Sequence, residues 1–308
     1  MNWLAAVIIG HLLNALGFVL NKAALTVSIK NPKTFTFYIG FLGAVSAVFL
    51  FLAPGFPQVG IISELLIGGV FFMLALYCFL VALSGSDTSR VAPFIGALVP
   101  IFTFVFEYFW IGNSLSRELL IAFVVLIIGT IIVTIDIDAE KNRKGTSVNS
   151  KVNTQAWIYG TIAAASFGLS FVASKLAYDA LPFWNAFAWM RIISFVAVLA
   201  FLLFPGIAKD VWNSRKIFTS KAGGIYLGSQ AVGAVSFIFI NYAISKASVS
   251  LVNAMQGIQY ALLIVLVLVG HVVAPKLVQE AMSKKSLALR SVGVVVICVG
   301  IALVSLNQ

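Results

Sequence analysis

Charge is scarce in this sequence: Asp, Glu, Lys and Arg make up 10% of its 308 residues, where a soluble domain carries about 25%. Acids are scarcer than bases, 10 against 20. Cysteine and histidine occur twice each. Cys78 and Cys298 sit inside apolar runs, and no CxxC or Cys/His spacing suits a metal. HExxH, GxSxG and GxxxxGK[ST] are all missing, so zinc hydrolysis, a serine nucleophile on an elbow and ATP hydrolysis have no recognised route. A pair of acids inside apolar runs, as intramembrane proteolysis needs, is missing too. The expectation is a protein that is not an enzyme and holds no cofactor or metal. The net charge of +10 does not point to nucleic acid, because no basic cluster is interleaved with base-stacking aromatics.

What the chain has instead is apolar length. It is 61% hydrophobic with a mean hydropathy of +1.06, so most of it needs an apolar solvent, and the lipid bilayer is its first partner. A spanning helix takes about 20 mostly apolar residues. Ten such runs occur, near 3–25, 34–53, 61–84, 89–111, 117–136, 156–178, 182–205, 222–245, 249–273 and 285–306. Turn residues separate them, among them Asn31-Pro32-Lys33, Ala53-Pro54-Gly55, Gly112-Asn113-Ser114 and Pro205-Gly206. The first run is full length and continues the pattern, which does not suit a cleavable signal peptide. The fold class expected is an all-α polytopic membrane protein with ten transmembrane helices. A polar stretch, 137–155, divides it into units 1–136 and 156–308.

The two units resemble each other. Leu16-Gly17-Phe18-Val19 aligns with Leu169-Ser170-Phe171-Val172, and Asn21-Lys22 with Ser174-Lys175. In the same order follow Pro54-Gly55 with Pro205-Gly206, Gly68-Gly69 with Gly223-Gly224, Ala82-Leu83-Ser84 with Ala243-Ile244-Ser245, and Gly129 with Gly300. Landmarks kept in order indicate an internal repeat. Five spans is an odd number, so the second copy enters the membrane from the opposite side. This is a 5+5 inverted repeat, a build that many secondary transporters use with the substrate near the midplane.

These features together resemble the EamA-like branch of the drug/metabolite transporter superfamily: five plus five helices, a lysine closing the first helix of each half, the turns Ala82-Leu83-Ser84-Gly85-Ser86 and Ala243-Ile244-Ser245-Lys246-Ala247, and Pro100 in the fourth helix. The resemblance covers nearly the whole chain. It implies a central cavity bounded by the third, fourth, eighth and ninth helices with the first and sixth, while the fifth and tenth hold the halves together.

Polar residues inside the runs are the candidates for substrate contact. In the first run His11, Asn14, Phe18 and Asn21 share one face at 100° per residue, either lining a cavity or bonding to a neighbouring helix. The ninth run carries Asn253, Gln256, Gln259 and Tyr260 within about 120°. Amides both donate and accept, which suits a neutral or zwitterionic polar solute. The eighth aligns Tyr226, Gln230, Gly233, Phe237 and Asn241, a face that serves a pocket or a tight crossing equally well. Ser166, Ser170 and Ser174 read as a packing row. Pro93 and Pro100 are candidate hinges. Glu107 is a candidate coupling residue beside His11, with an interfacial carboxylate as the alternative. Arg191, nine residues into the seventh run, calls for an anion or for a structural partner such as a carbonyl.

The expected function is secondary transport of a small polar metabolite, an amino acid before a nucleoside or sugar, by alternating access and without a dedicated carboxylate proton site. The alternative is a membrane receptor or scaffold in which the polar stripes are static seams. Of the 20 Lys and Arg, 16 fall on or beside the odd-numbered connections. The positive-inside rule then places those connections in the cytoplasm of a cell with the chain in its inner membrane, and both termini outside.

Overall fold

The computed structural model describes residues 1–25, 31–84, 88–112, 115–135, 154–215, 221–273 and 284–307. Among them every regular element is helical and none is a strand. In chain order they are α1 (Trp3–Leu25), α2 (Pro32–Gly43) prolonged by the tighter segment Ala44–Phe51, α3 (Ile62–Ser84), α4 (Thr88–Phe106), α5 (Arg117–Thr134), α6 (Thr154–Ala180), α7 (Phe183–Leu199), α8 (Ile207–Ser214), α9 (Lys221–Lys246), α10 (Val249–Ala254), α11 (Gly257–Val273) and α12 (Lys284–Leu306).

Among the described residues, eight segments are long and apolar enough to cross a membrane: Pro32–Phe51, Val59–Ser84, Phe94–Ile111, Arg117–Thr134, Thr154–Ala180, Phe183–Leu203, Tyr226–Lys246 and Lys285–Leu306. The arrangement fits a multi-pass membrane protein. Large side chains face outward, as with Ile121, Val124, Ile128 and Ile131 on α5, while small ones such as Ala6, Ala15, Ala163, Ala173 and Ala177 are sealed between helices. Water would favour the reverse distribution. In lipid the outer surface has no reason to be polar, and helices associate through close packing.

Local chemistry sets the ends. Asn31 caps α2 by accepting from the Lys33 amide at 3.0 Å, with Pro32 at the first helical position. Ser116 caps α5 through the Leu119 amide at 3.3 Å. α4 passes without interruption through Pro93 and Pro100 and ends in a wider π turn, Glu107–Ile111, closed by Gly112 at φ 74°.

Two departures from the sequence expectation stand out. Residues 206–221 were expected to be a gap, yet they contain α8, which starts after Gly206 at φ 81°. The ninth run, expected as one helix over 249–273, is divided. α10 ends at Ala254, Met255 and Gln256 form a turn, and α11 starts at Gly257. Gly257, the first residue of α11, lies where no side chain fits: one there would meet Ile297 of α12 at 2.7 Å and Thr130 of α5.

The packing partners are α1 with α9 and α11, α3 with α6 and α7, α4 with α6 and α10, α5 with α12, and α2 with α7. α1 and α9 meet at Gly17 against Gly233 and Ser229, and Ser236 Oγ donates to the Gly10 carbonyl at 2.8 Å. α3 and α6 meet where Ser170 Oγ donates to the Gly68 carbonyl at 2.7 Å. Ser166, Ser170 and Ser174 are all buried there.

Candidate functional site

The break in the ninth run releases backbone. The Gln256 amide donates to Asn253 O at 3.1 Å rather than four residues back. The Val252 carbonyl instead contacts His11 Nε2 of α1 at 3.3 Å. A carbonyl only accepts, so Nε2 carries the proton and Nδ1 of the neutral ring is left as an acceptor. His11 is 3% exposed, and Nδ1 is buried with no partner among the described residues.

One turn further along α1, Asn14 Nδ2 donates to Gln259 Oε1 of α11 at 2.7 Å. Gln259 is 1% exposed, and its Nε2 is buried without a partner among the described residues. Three of the residues selected from the first and ninth runs therefore converge on the break, and they retain one free acceptor and one free donor. A buried polar group without a partner costs about 1–3 kcal/mol, which marks this place as chemically unfinished.

The other residues of the ninth-run stripe divide. Gln256 Nε2 donates to Tyr260 Oη at 3.4 Å, and the Tyr260 ring packs on Gly96 of α4. Asn253 is buried and spends its amide on the Val249 carbonyl of its own helix at 3.0 Å. On α9, Gln230 is half-buried, Tyr226 packs edge-on against Phe35, and Asn241 accepts from Tyr178 Oη of α6 at 2.8 Å while donating to Phe237 O at 2.9 Å. The α9 stripe thus serves several neighbours rather than one pocket. The side chains of Phe18, Asn21, Lys22 and Pro93 lie outside the described ones, as does most of the 137–155 stretch.

Glu107 lies inside the protein. It is 3% exposed, and it receives Ser248 Oγ at 3.0 Å, the Val249 amide at 3.1 Å, the Ser250 amide at 2.8 Å and Ser250 Oγ. The carboxylate therefore sits on the first amides of α10, whose N–H groups have no partner inside their own helix. Sequence reasoning missed Ser248 and Ser250 as its partners. The signal was there: Ser248 has the spacing of a helix cap, and its Oγ accepts from the Leu251 amide at 3.4 Å.

Arg191 is 8% exposed, and among the described residues its buried Nε has no partner. No acidic side chain among the described residues pairs with it, in contrast to Lys175, which bridges to Asp179 at 2.9 Å and donates to Ser245 O at 3.4 Å. Its guanidinium carbon lies over three rings instead, 4.2 Å from the centroid of Phe72, 4.7 Å from Phe237 and 5.9 Å from Phe187. An arginine at mid-helix costs about 2.5–3.5 kcal/mol to insert, and desolvated cation–π contacts return about 2 kcal/mol. Tyr178 was likewise missed by sequence reasoning, because only the fold brings it to Asn241.

Among solved structures, 29 chains match this one. One, a crystal structure described only as that of a protein, is similar over 98% of this chain and 97% of its own, at a TM-score of 0.64 and 17% identity. No family model and no curated protein matches. At that identity the likeness shows that the two chains share a fold along their whole length.

Proposed function

We propose that the chain is a secondary transporter that moves a small polar metabolite by alternating access, with its cargo site at the break between α10 and α11. The observation that carries this reading is the meeting of His11, Asn14 and Gln259 there, with His11 Nδ1 and Gln259 Nε2 buried and unpartnered among the described residues. A discontinuous helix facing polar side chains near the midplane is how many transporters bind solute. One free donor and one free acceptor suit a neutral or zwitterionic solute such as an amino acid.

In this reading the protein has ten crossings arranged as a 5+5 inverted repeat, with α1 and the α10–α11 pair as the first and ninth. Exchanging the halves supports it: α1 packs on α9 as α6 packs on α3, α1 on α11 as α6 on α4, and α5 with α12 and α2 with α7 pair with their own counterparts. Gly55 and Gly206, aligned by the sequence repeat, both have positive φ, at 131° and 81°. Membership of the EamA-like branch, an inner-membrane location and termini on the outer side belong to the same proposal. Glu107 supports a mechanism without a carboxylate proton site, since all its contacts hold the start of α10.

The receptor or scaffold reading draws on one observation, that Asn14 and Gln259 already bond to each other at 2.7 Å, as a static seam would. The two readings differ in motion. With Cys78 and Cys298 replaced by serine, N14C and Q256C in proteoliposomes should react with impermeant thiol reagents from both sides, in proportions that solute changes. A fixed pattern from one side only would favour the seam.

A further inference from the structure

We infer that Arg191 is an anion site for the carboxylate of a small ligand whose apolar or aromatic body rests on the surrounding phenylalanines. A guanidinium presents five N–H donors in its own plane, and its charge is attracted to ring faces above and below that plane. Phe72 of α3 and Phe237 of α9 account for the attraction to rings, at 4.2 and 4.7 Å. Neither ring accepts the in-plane protons as a carbonyl or carboxylate would. A structural arginine inside a helix bundle is normally neutralised by an acid or tied to carbonyls; among the described residues this one has its Nε sealed from solvent and unpartnered. The missing partner is therefore a planar, two-oxygen anion, which meets a guanidinium with two parallel hydrogen bonds.

The surroundings specify the rest of the ligand. From α3 comes Phe72, from α7 Phe187, from α9 Phe237, and the aromatic cluster continues into α6, where Phe167 lies 5.9 Å from Phe72. Phe72 and Phe237 touch at 4.9 Å between centroids. The Tyr178 hydroxyl, within electrostatic reach of the guanidinium, is oriented by its bond to Asn241. No second cation among the described residues joins Arg191, so a singly charged anion matches the site better than a phosphate ester. The binding site stands on the geometry around Arg191 and does not depend on the transport reading.

The test is a thermal-shift titration of the full-length protein purified in a non-ionic detergent, at constant pH and ionic strength. The probes are phenylacetate, its neutral counterpart phenylacetamide, the cation phenethylamine, and palmitate as a lipid-derived carboxylate. The wild type should be stabilised by phenylacetate and not by equal concentrations of the amide or amine, because only a ligand bound to the folded state raises Tm. In R191Q the phenylacetate midpoint should rise about tenfold or more, the loss of a charge-assisted pair, whereas R191K should bind with intermediate strength and K175Q, whose cation already has Asp179, like the wild type. Equal shifts with phenylacetate and phenylacetamide, no phenylacetate shift, an unchanged midpoint in R191Q, or stabilisation by palmitate alone would each overturn the inference. If R191Q does not fold, the wild-type probe series together with R191K decides. Phenylacetate binding without solute flux in proteoliposomes would uphold the site and remove the transport reading, so the two fail separately.

Discussion

Asn14 on α1 and Gln259 on α11 share a 2.7 Å hydrogen bond between two helices, although 245 residues separate them in the chain. Removing Asn14 leaves the buried Gln259 Oε1 without its donor, and removing Gln259 leaves the half-buried Asn14 without its acceptor. Gln259→Ala and Asn14→Ala should each lower stability by about 1–3 kcal/mol, and the double variant should lose less than the sum, with a coupling of about 0.6–1.7 kcal/mol, as for other interhelical bonds in membranes. Thermal denaturation of the four proteins measures it. Strict additivity would show that the bond does not hold the two helices.

Glu107 ties α4 to the start of α10, so its substitution should act on structure before transport. Glu107→Gln keeps the size but replaces one acceptor oxygen with a donor facing the amides of Val249 and Ser250. We expect a loss of about 1–3 kcal/mol, with the remaining folded protein exchanging solute at the wild-type rate. Unaltered stability together with lost solute exchange would return Glu107 to the coupling role.

α5 and α12 approach each other in a reciprocal way. A methyl on Gly129 would come within 2.8 Å of Ile297 Cγ1, and one on Gly300 within 2.7 Å of Leu126 Cγ, each contact lying three residues before the other glycine. Gly129→Ala and Gly300→Ala should therefore destabilise by similar amounts, about 1–3 kcal/mol as overpacking does. Gly43→Ala, where nothing lies within 4 Å, should be neutral or slightly stabilising. Clearly unequal effects at Gly129 and Gly300 would count against a two-fold relation between these helices.

Helix positions were legible because hydropathy and turn residues act locally: the runs near 61–84, 117–136 and 285–306 differ from Ile62–Ser84, Arg117–Thr134 and Lys284–Leu306 by a residue or two. Asn14 and Gln259, each picked from the polar face of its run, do bond to each other. The break at Met255 and Gln256 was not legible, because no proline interrupts the run there and Gly257 alone is a weak mark. The same holds for Arg191. Its position showed in the sequence, but only the fold reveals that rings, and no acid, surround it.

The charge distribution predicts orientation. Lys33, Lys209 and Arg215 stand with most of the 20 basic residues on or beside the odd connections, which the positive-inside rule assigns to the cytoplasm. A C-terminal green fluorescent protein fusion should stay dark in intact bacteria, while an alkaline phosphatase fusion at the same place should be active. The opposite pair of signals would invert the protein.

Counterflow in proteoliposomes tests the transport claim most directly. Vesicles loaded with a neutral amino acid and diluted into a trace of the labelled compound are compared with and without an imposed pH gradient, for the wild type, Glu107→Gln, His11→Ala and Gln259→Ala. The account predicts transient accumulation of label in the wild type that is independent of the gradient, preserved in Glu107→Gln and reduced in Gln259→Ala. Accumulation that requires the gradient and vanishes in Glu107→Gln or His11→Ala would contradict it.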